Sequence, residues 1–106
     1  MRAGAAPGAG ILGAMAVRIR VPGPLRRLTG GDAEVTVEGA TVSAALTDLE
    51  QRYPGFHDRL YDADGKLRQF INIYVNDSDI RFSDGLETPV GERDEVSIVP
   101  AVAGGN

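Results

Sequence analysis

Glu95-Val96-Ser97-Ile98-Val99-Pro100-Ala101 is the stretch on which the fold turns. Val96 and Ile98 oppose Ser97 and Val99, the period-two pattern of a strand with one face in a core. The chain then runs directly into Val102-Ala103-Gly104-Gly105-Asn106, residues too small to pack. A comparable strand stands near the other end. From Ala16 to Val21, Val17, Ile19 and Val21 lie on one face and Arg18 and Arg20 on the other. Pro22-Gly23-Pro24 ends it, and Thr29-Gly30-Gly31-Asp32 marks a turn. Ala33 to Glu38 alternates again through Val35 and Val37, so the opening reads as a hairpin with a long loop.

Between these ends the period changes. Val42, Ala45, Leu46, Leu49 and Tyr53 recur at helical spacing, while Ser43, Asp48, Glu50 and Arg52 face away. Thr41 is the expected N-cap, and Pro54-Gly55 stops the helix. Phe56 to Leu60 adds a further helical turn, and Asp62-Ala63-Asp64-Gly65 is a loop. Phe70 to Asn76 is the strongest strand, with Ile71, Ile73 and Val75 on one side. Asn76-Asp77-Ser78-Asp79 turns the chain into a short strand expected at Ile80 to Phe82. The order is β-β-α-β-β-β. One main helix crossing one face of a mixed sheet of about five strands is an α+β architecture. With the first and last strands parallel at its centre, this is the β-grasp, the ubiquitin-like fold.

Composition narrows the chemistry. A chain of 106 residues is one domain by length. It contains no cysteine, which excludes disulfides, thiolate metal sites and a cysteine nucleophile. Residues 1–31 carry a charge of +5 and residues 32–106 a charge of −9. The acidic body argues against nucleic acid, which requires a basic face, and fits docking onto a basic protein surface. No apolar run approaches the roughly 20 residues that span a bilayer, so no membrane partner is expected and the setting reads as cytoplasmic. Residues 1–14, nearly all Ala and Gly, read as a disordered leader, with Met15 available as an alternative start. The domain proper is taken as residues 15–102, and residues 103–106 as a flexible tail.

Few residues in the body suggest a site. Gly8, Gly10 and Gly13 have dinucleotide-fingerprint spacing, but no strand precedes them and a strand follows. Asp62, Asp64 and Gly65 look like the start of a calcium loop without its downstream bidentate glutamate. The single histidine, His57, has no partner at ligand spacing and reads as a surface residue. No catalytic residue, metal site or bound cofactor is expected.

The tail is different. Four residues beyond Ala101 extend by roughly 13 Å, and glycine lets such a thread enter a narrow channel. Ile71-Asn72-Ile73-Tyr74-Val75-Asn76, Asp79-Ile80-Arg81-Phe82 and Val96 to Gly105 together resemble the ThiS/MoaD family of sulfur carriers. The likeness is nearest to its branch serving cysteine synthesis, the CysO type, and runs from about Met15 to Gly105.

That resemblance implies a protein cosubstrate rather than an enzyme. An E1-like enzyme would use Mg·ATP to adenylate the carboxylate of Gly105, with Val102, Ala103, Gly104 and Gly105 threading into it. Sulfur would then displace AMP and leave a thiocarboxylate. In the cysteine branch this attacks an aminoacrylate on a PLP-dependent cysteine synthase, and a zinc metalloprotease frees the product. The family's mature chains end at the second glycine, whereas Asn106 follows here. Either the bond between Gly105 and Asn106 is a processing site, which sterics favour, or the activating enzyme accepts one extra side chain. Other readings are a molybdopterin synthase small subunit, a ubiquitin-like protein modifier, and a β-grasp interaction module with an inert tail.

Overall fold

The alternation at the two ends of the chain becomes a pair of parallel neighbours. The computed structural model describes residues 16–100. The leader (1–14) and the tail residues Val102, Ala103, Gly104, Gly105 and Asn106 lie outside them. Within the described residues, β1 (Ala16–Arg20), β2 (Glu34–Glu38), β3 (Ile71–Val75), β4 (Ser78–Asp79) and β5 (Glu95–Pro100) form one sheet, ordered β2-β1-β5-β3-β4. β5 is central. It pairs parallel with β1, placing Ile19 opposite Val96, and antiparallel with β3, placing Ile73 opposite Ile98. The other pairings are antiparallel.

Helix α1 (Val42–Arg52) covers one face, with Val42, Ala45, Leu46 and Leu49 buried. They meet Val17, Ile19, Val37, Ile73, Val96 and Ile98, each no more than 3 % exposed. α2 (Phe56–Leu60) closes one end of this layer through Phe56 and Leu60. The Thr41 hydroxyl accepts from the backbone N–H of Ala44, the expected cap. Thr41→Ala is expected to cost about 1 kcal/mol, read as a lower urea midpoint with unchanged slope.

Three local readings change. Ile80–Phe82 is not a strand but a single turn of 3-10 helix. The chain reverses through Asn76 and Asp77, with Asn76 in the left-handed region at φ 58°, so Ser78 and Asp79 already pair with Val75 and Tyr74. The Asp79 side chain then accepts from the N–H of Arg81, which turns the backbone away from the ladder. The long first loop also contains a 3-10 segment, Gly23–Thr29, which buries Leu25. Finally Glu50, expected to face solvent, accepts from the N–H groups of Gly55 and His57 and ties α1 to α2.

The β2 edge is closed at one end. Asp48 on α1 accepts from the backbone N–H of Glu38 at 2.8 Å, and from Arg52 Nε at 2.6 Å. A strand edge with its terminal donor occupied is a poorer template for another chain.

Candidate tail-presenting site

β5 is hydrogen-bonded on both sides for part of its length, and its last pair sets Pro100 opposite Ile71. Val96 and Ile98 anchor it in the core, so the strand is held in place up to Pro100, the last described residue. Around that point the solvent-facing side is partly apolar. Val99 is 39 % exposed, and Phe70, the residue before β3, is 52 % exposed. Both fall in the outward phase of their strands, a signal present in the sequence but given no role there. Phe82 is 89 % exposed, and nothing in the sequence marked it, because a strand would have half-buried it.

Farther along the outer face the side chains are charged and paired. Arg18 lies 3.9 Å from Glu34 and Arg20 3.8 Å from Glu95. These exposed pairs contribute little stability. They do make one half of the face polar and leave the half beside Pro100 apolar.

The remaining sequence candidates separate from this point. His57 is exposed, its ring 4.8 Å from that of Tyr61. Burial raises the pKa of Tyr61 above the usual phenol value. Both rings border a cleft of about 410 Å³ between α1 and α2. Asp62 Oδ1 accepts from the N–H groups of Asp64 and Lys66, so this carboxylate closes a turn. Those bonds, the Lys66 one foremost, hold its pKa below the usual carboxylate value. Because the folded pKa is depressed, the turn is stabilised above the ordinary carboxylate pKa and loses that contribution as pH falls through the depressed value. Amide exchange at Lys66, corrected for intrinsic rates, is expected to speed up in that acid window and nowhere above it. Among the described residues no group of three or more His, Asp or Glu side chains is placed to hold a metal ion. No helix among them is long and apolar enough to cross a membrane.

A sheet whose central strand runs to Pro100, with no metal-binding cluster among the described residues, invites comparison with known proteins. The sequence pattern described as the ThiS family matches residues 19–105. The chain belongs to the ThiS family.

Its match stops at Gly105 and leaves Asn106 outside. The chain is 50% identical over 93 residues to the sulfur carrier protein CysO of Mycobacterium tuberculosis, covering 86% of this chain and 100% of that one. A chain of the Amycolatopsis orientalis BexX/CysO complex superposes with a TM-score of 0.78 at 49% identity, covering 85% of this chain and 100% of that one. The small archaeal modifier protein SAMP1 from Methanosarcina acetivorans superposes at 0.77 with 30% identity, covering 87% and 98%. These neighbours share the β-grasp architecture, so the expected fold class holds.

Proposed function

We propose that this ThiS-family protein carries sulfur as a thiocarboxylate on Gly105, acting as cosubstrate for partner enzymes in the biosynthesis of cysteine or a related sulfur metabolite. The observation that carries the reading is the central strand β5, held to Pro100 and leading into Gly104-Gly105, in a chain half identical to a CysO sulfur carrier. A strand held in place up to Pro100 and a side-chain-free end suit delivery of one carbonyl into an enzyme's channel. The E1-like enzyme would supply Mg·ATP. The Gly105 carboxylate attacks the α-phosphorus, pyrophosphate leaves, and the acyl adenylate forms. Sulfide-level sulfur (HS⁻) supplied by the enzyme then attacks the acyl carbon, the C–O bond to the phosphate breaks, AMP leaves and the thiocarboxylate remains. A PLP-dependent cysteine-synthase-like enzyme is the acceptor that the CysO likeness favours. The setting we read is cytoplasmic.

Gly105 has a free carboxylate only after cleavage of its bond to Asn106. A zinc metalloprotease cutting after Gly-Gly fits that step. The test compares the 106-residue chain with one ending at Gly105, each given activating enzyme, ATP and a sulfur source. Mass spectrometry is expected to show the sulfur-for-oxygen increment on the shorter chain alone. Conversion of both, with Asn106 retained, overturns the processing step. Conversion of neither overturns the carrier reading. The likeness to small archaeal modifier proteins supports a second reading, conjugation to protein lysines, which gives ladders of higher-mass conjugates instead.

A further inference from the structure

A second cleft, of about 320 Å³, opens between the Asp62–Phe70 connection and the two single-turn 3-10 helices at Ile80–Phe82 and Gly85–Glu87. Its floor is Ile71, Ile73 and Ile80, each no more than 4 % exposed. The partly buried Leu67 and Leu86 wall it. Two cations border this apolar slot, Lys66 from one wall and Arg81 from the other, and no acidic side chain lines it. In a chain with fifteen Asp and Glu against eleven Lys and Arg, that local imbalance runs against the global charge.

Neither cation is committed to a carboxylate. Among the described residues the ion pairs involve Arg18, Arg20 and Arg52 only. Asp62 feels the charge of Lys66 but forms no ion pair with it among the described residues, and its Oδ1 accepts from two backbone N–H groups. Among the described residues Arg81 Nη2 donates to the Ile71 carbonyl alone, at 3.4 Å.

The walls are built before any ligand arrives. On one side Asp62 N–H donates to the Lys66 carbonyl at 2.8 Å, and the Arg68 guanidinium donates to the Asp58 carbonyl. On the other, Thr88 Oγ1 donates to the Gly85 carbonyl at 2.7 Å and accepts from Asp84 N–H. Preformed walls reduce the ordering cost of binding.

The position of the cleft points to its occupant. Ile71 on the floor is the cross-strand partner of Pro100, where β5 ends. A protein that receives the residues following Pro100 therefore meets the sheet next to the strand whose Ile71 and Ile73 floor the cleft. We propose that the cleft docks a short segment of such a partner, an apolar side chain of about leucine size followed by a carboxylate residue. The apolar group fills the slot over Ile71, Ile73 and Ile80, and the carboxylate sits between Lys66 and Arg81. This rests on the reading that the tail is delivered to another protein.

The probe is the blocked peptide acetyl-Ala-Leu-Asp-Ala-amide, titrated into the isotope-labelled full chain and followed by amide chemical shifts. Saturable shifts centred on Lys66, Leu67, Ile80 and Arg81 are expected. Replacing the peptide's aspartate by asparagine, or its leucine by serine, should weaken binding about tenfold, the worth of one charge-assisted contact or one buried side chain. Lys66→Gln and Arg81→Gln should each do the same with unchanged thermal unfolding, and Arg81→Lys should retain binding. If Arg81→Gln unfolds, Lys66→Gln alone decides. Absence of shifts, or shifts indifferent to the aspartate, overturns the proposal. So does binding of octanoate without the peptide, which marks a small-acid site instead. The measurement uses neither Gly105 nor ATP, so it can succeed where tail activation fails, and fail where activation succeeds.

Discussion

Alanine at position 105 is expected to stop tail activation while leaving the body folded. A thread entering a channel matched to backbone has no room for a Cβ beside the reacting carbonyl. A displacement of about 1 Å at a reacting centre costs on the order of a hundredfold in rate, so pyrophosphate exchange by the activating enzyme should fall by about that factor or more. The core among the described residues runs from Val17 to Ile98, so thermal unfolding of Gly105→Ala is expected to match the parent. Normal exchange by this variant would remove the case for the tail.

The largest expected effect on stability lies at Gly39. This residue links β2 to α1, and a Cβ placed on it would sit 2.5 Å from Ala45 N, 2.8 Å from Ala44 C and 2.9 Å from Ala45 Cα. All three are backbone atoms of α1, so no side chain can swing aside. Relief requires α1 to back away from the sheet, which loosens Val42, Ala45, Leu46 and Leu49 together. Overpacking of this kind costs about 3 kcal/mol, a large fraction of the 5–15 kcal/mol that holds a domain folded. Gly39→Ala should therefore show a much lower denaturation midpoint. Gly30→Ala is the control: its Cβ meets nothing within 4 Å, and only the φ of 70° is unfavourable, worth about 1 kcal/mol. Equal stability of the two variants would contradict the close approach at Gly39.

Why some of this was legible in the sequence, and some not, follows from the range of the forces involved. Alternation at Val17-Ile19-Val21 and Val96-Ile98 is a local record of burial, so the terminal strands and their inward faces could be read directly. Thr41 and Pro54-Gly55 bound α1 by local hydrogen bonding and sterics, and they too were readable. The fourth strand was misplaced because its position depends on the left-handed turn at Asn76 and the Asp79 cap, which compete with the strand propensity of Ile80 and Phe82. Glu50 escaped notice because its partners, the N–H groups of Gly55 and His57, come near only when α2 folds back. The Lys66–Arg81 cleft was invisible for the same reason. Its two cations are fifteen positions apart, and only the sheet brings their loops together. The proposal for Gly105 rests on the sequence alone, since the chemistry it assigns needs no tertiary neighbour within the chain.

The parallel pairing of β1 and β5 has a mechanical side. Pulling β1 from its Ala16 end and β5 from its Pro100 end drags the two strands past each other along their length. The ladder bonds joining Arg18–Arg20 to Glu95–Ser97 are then loaded together in shear, rather than opened one at a time as in a zipper. A force applied across Ala16 and Pro100 must break that set together before the two strands separate. Force applied to the β3–β4 hairpin instead peels two short strands sequentially and should need much less.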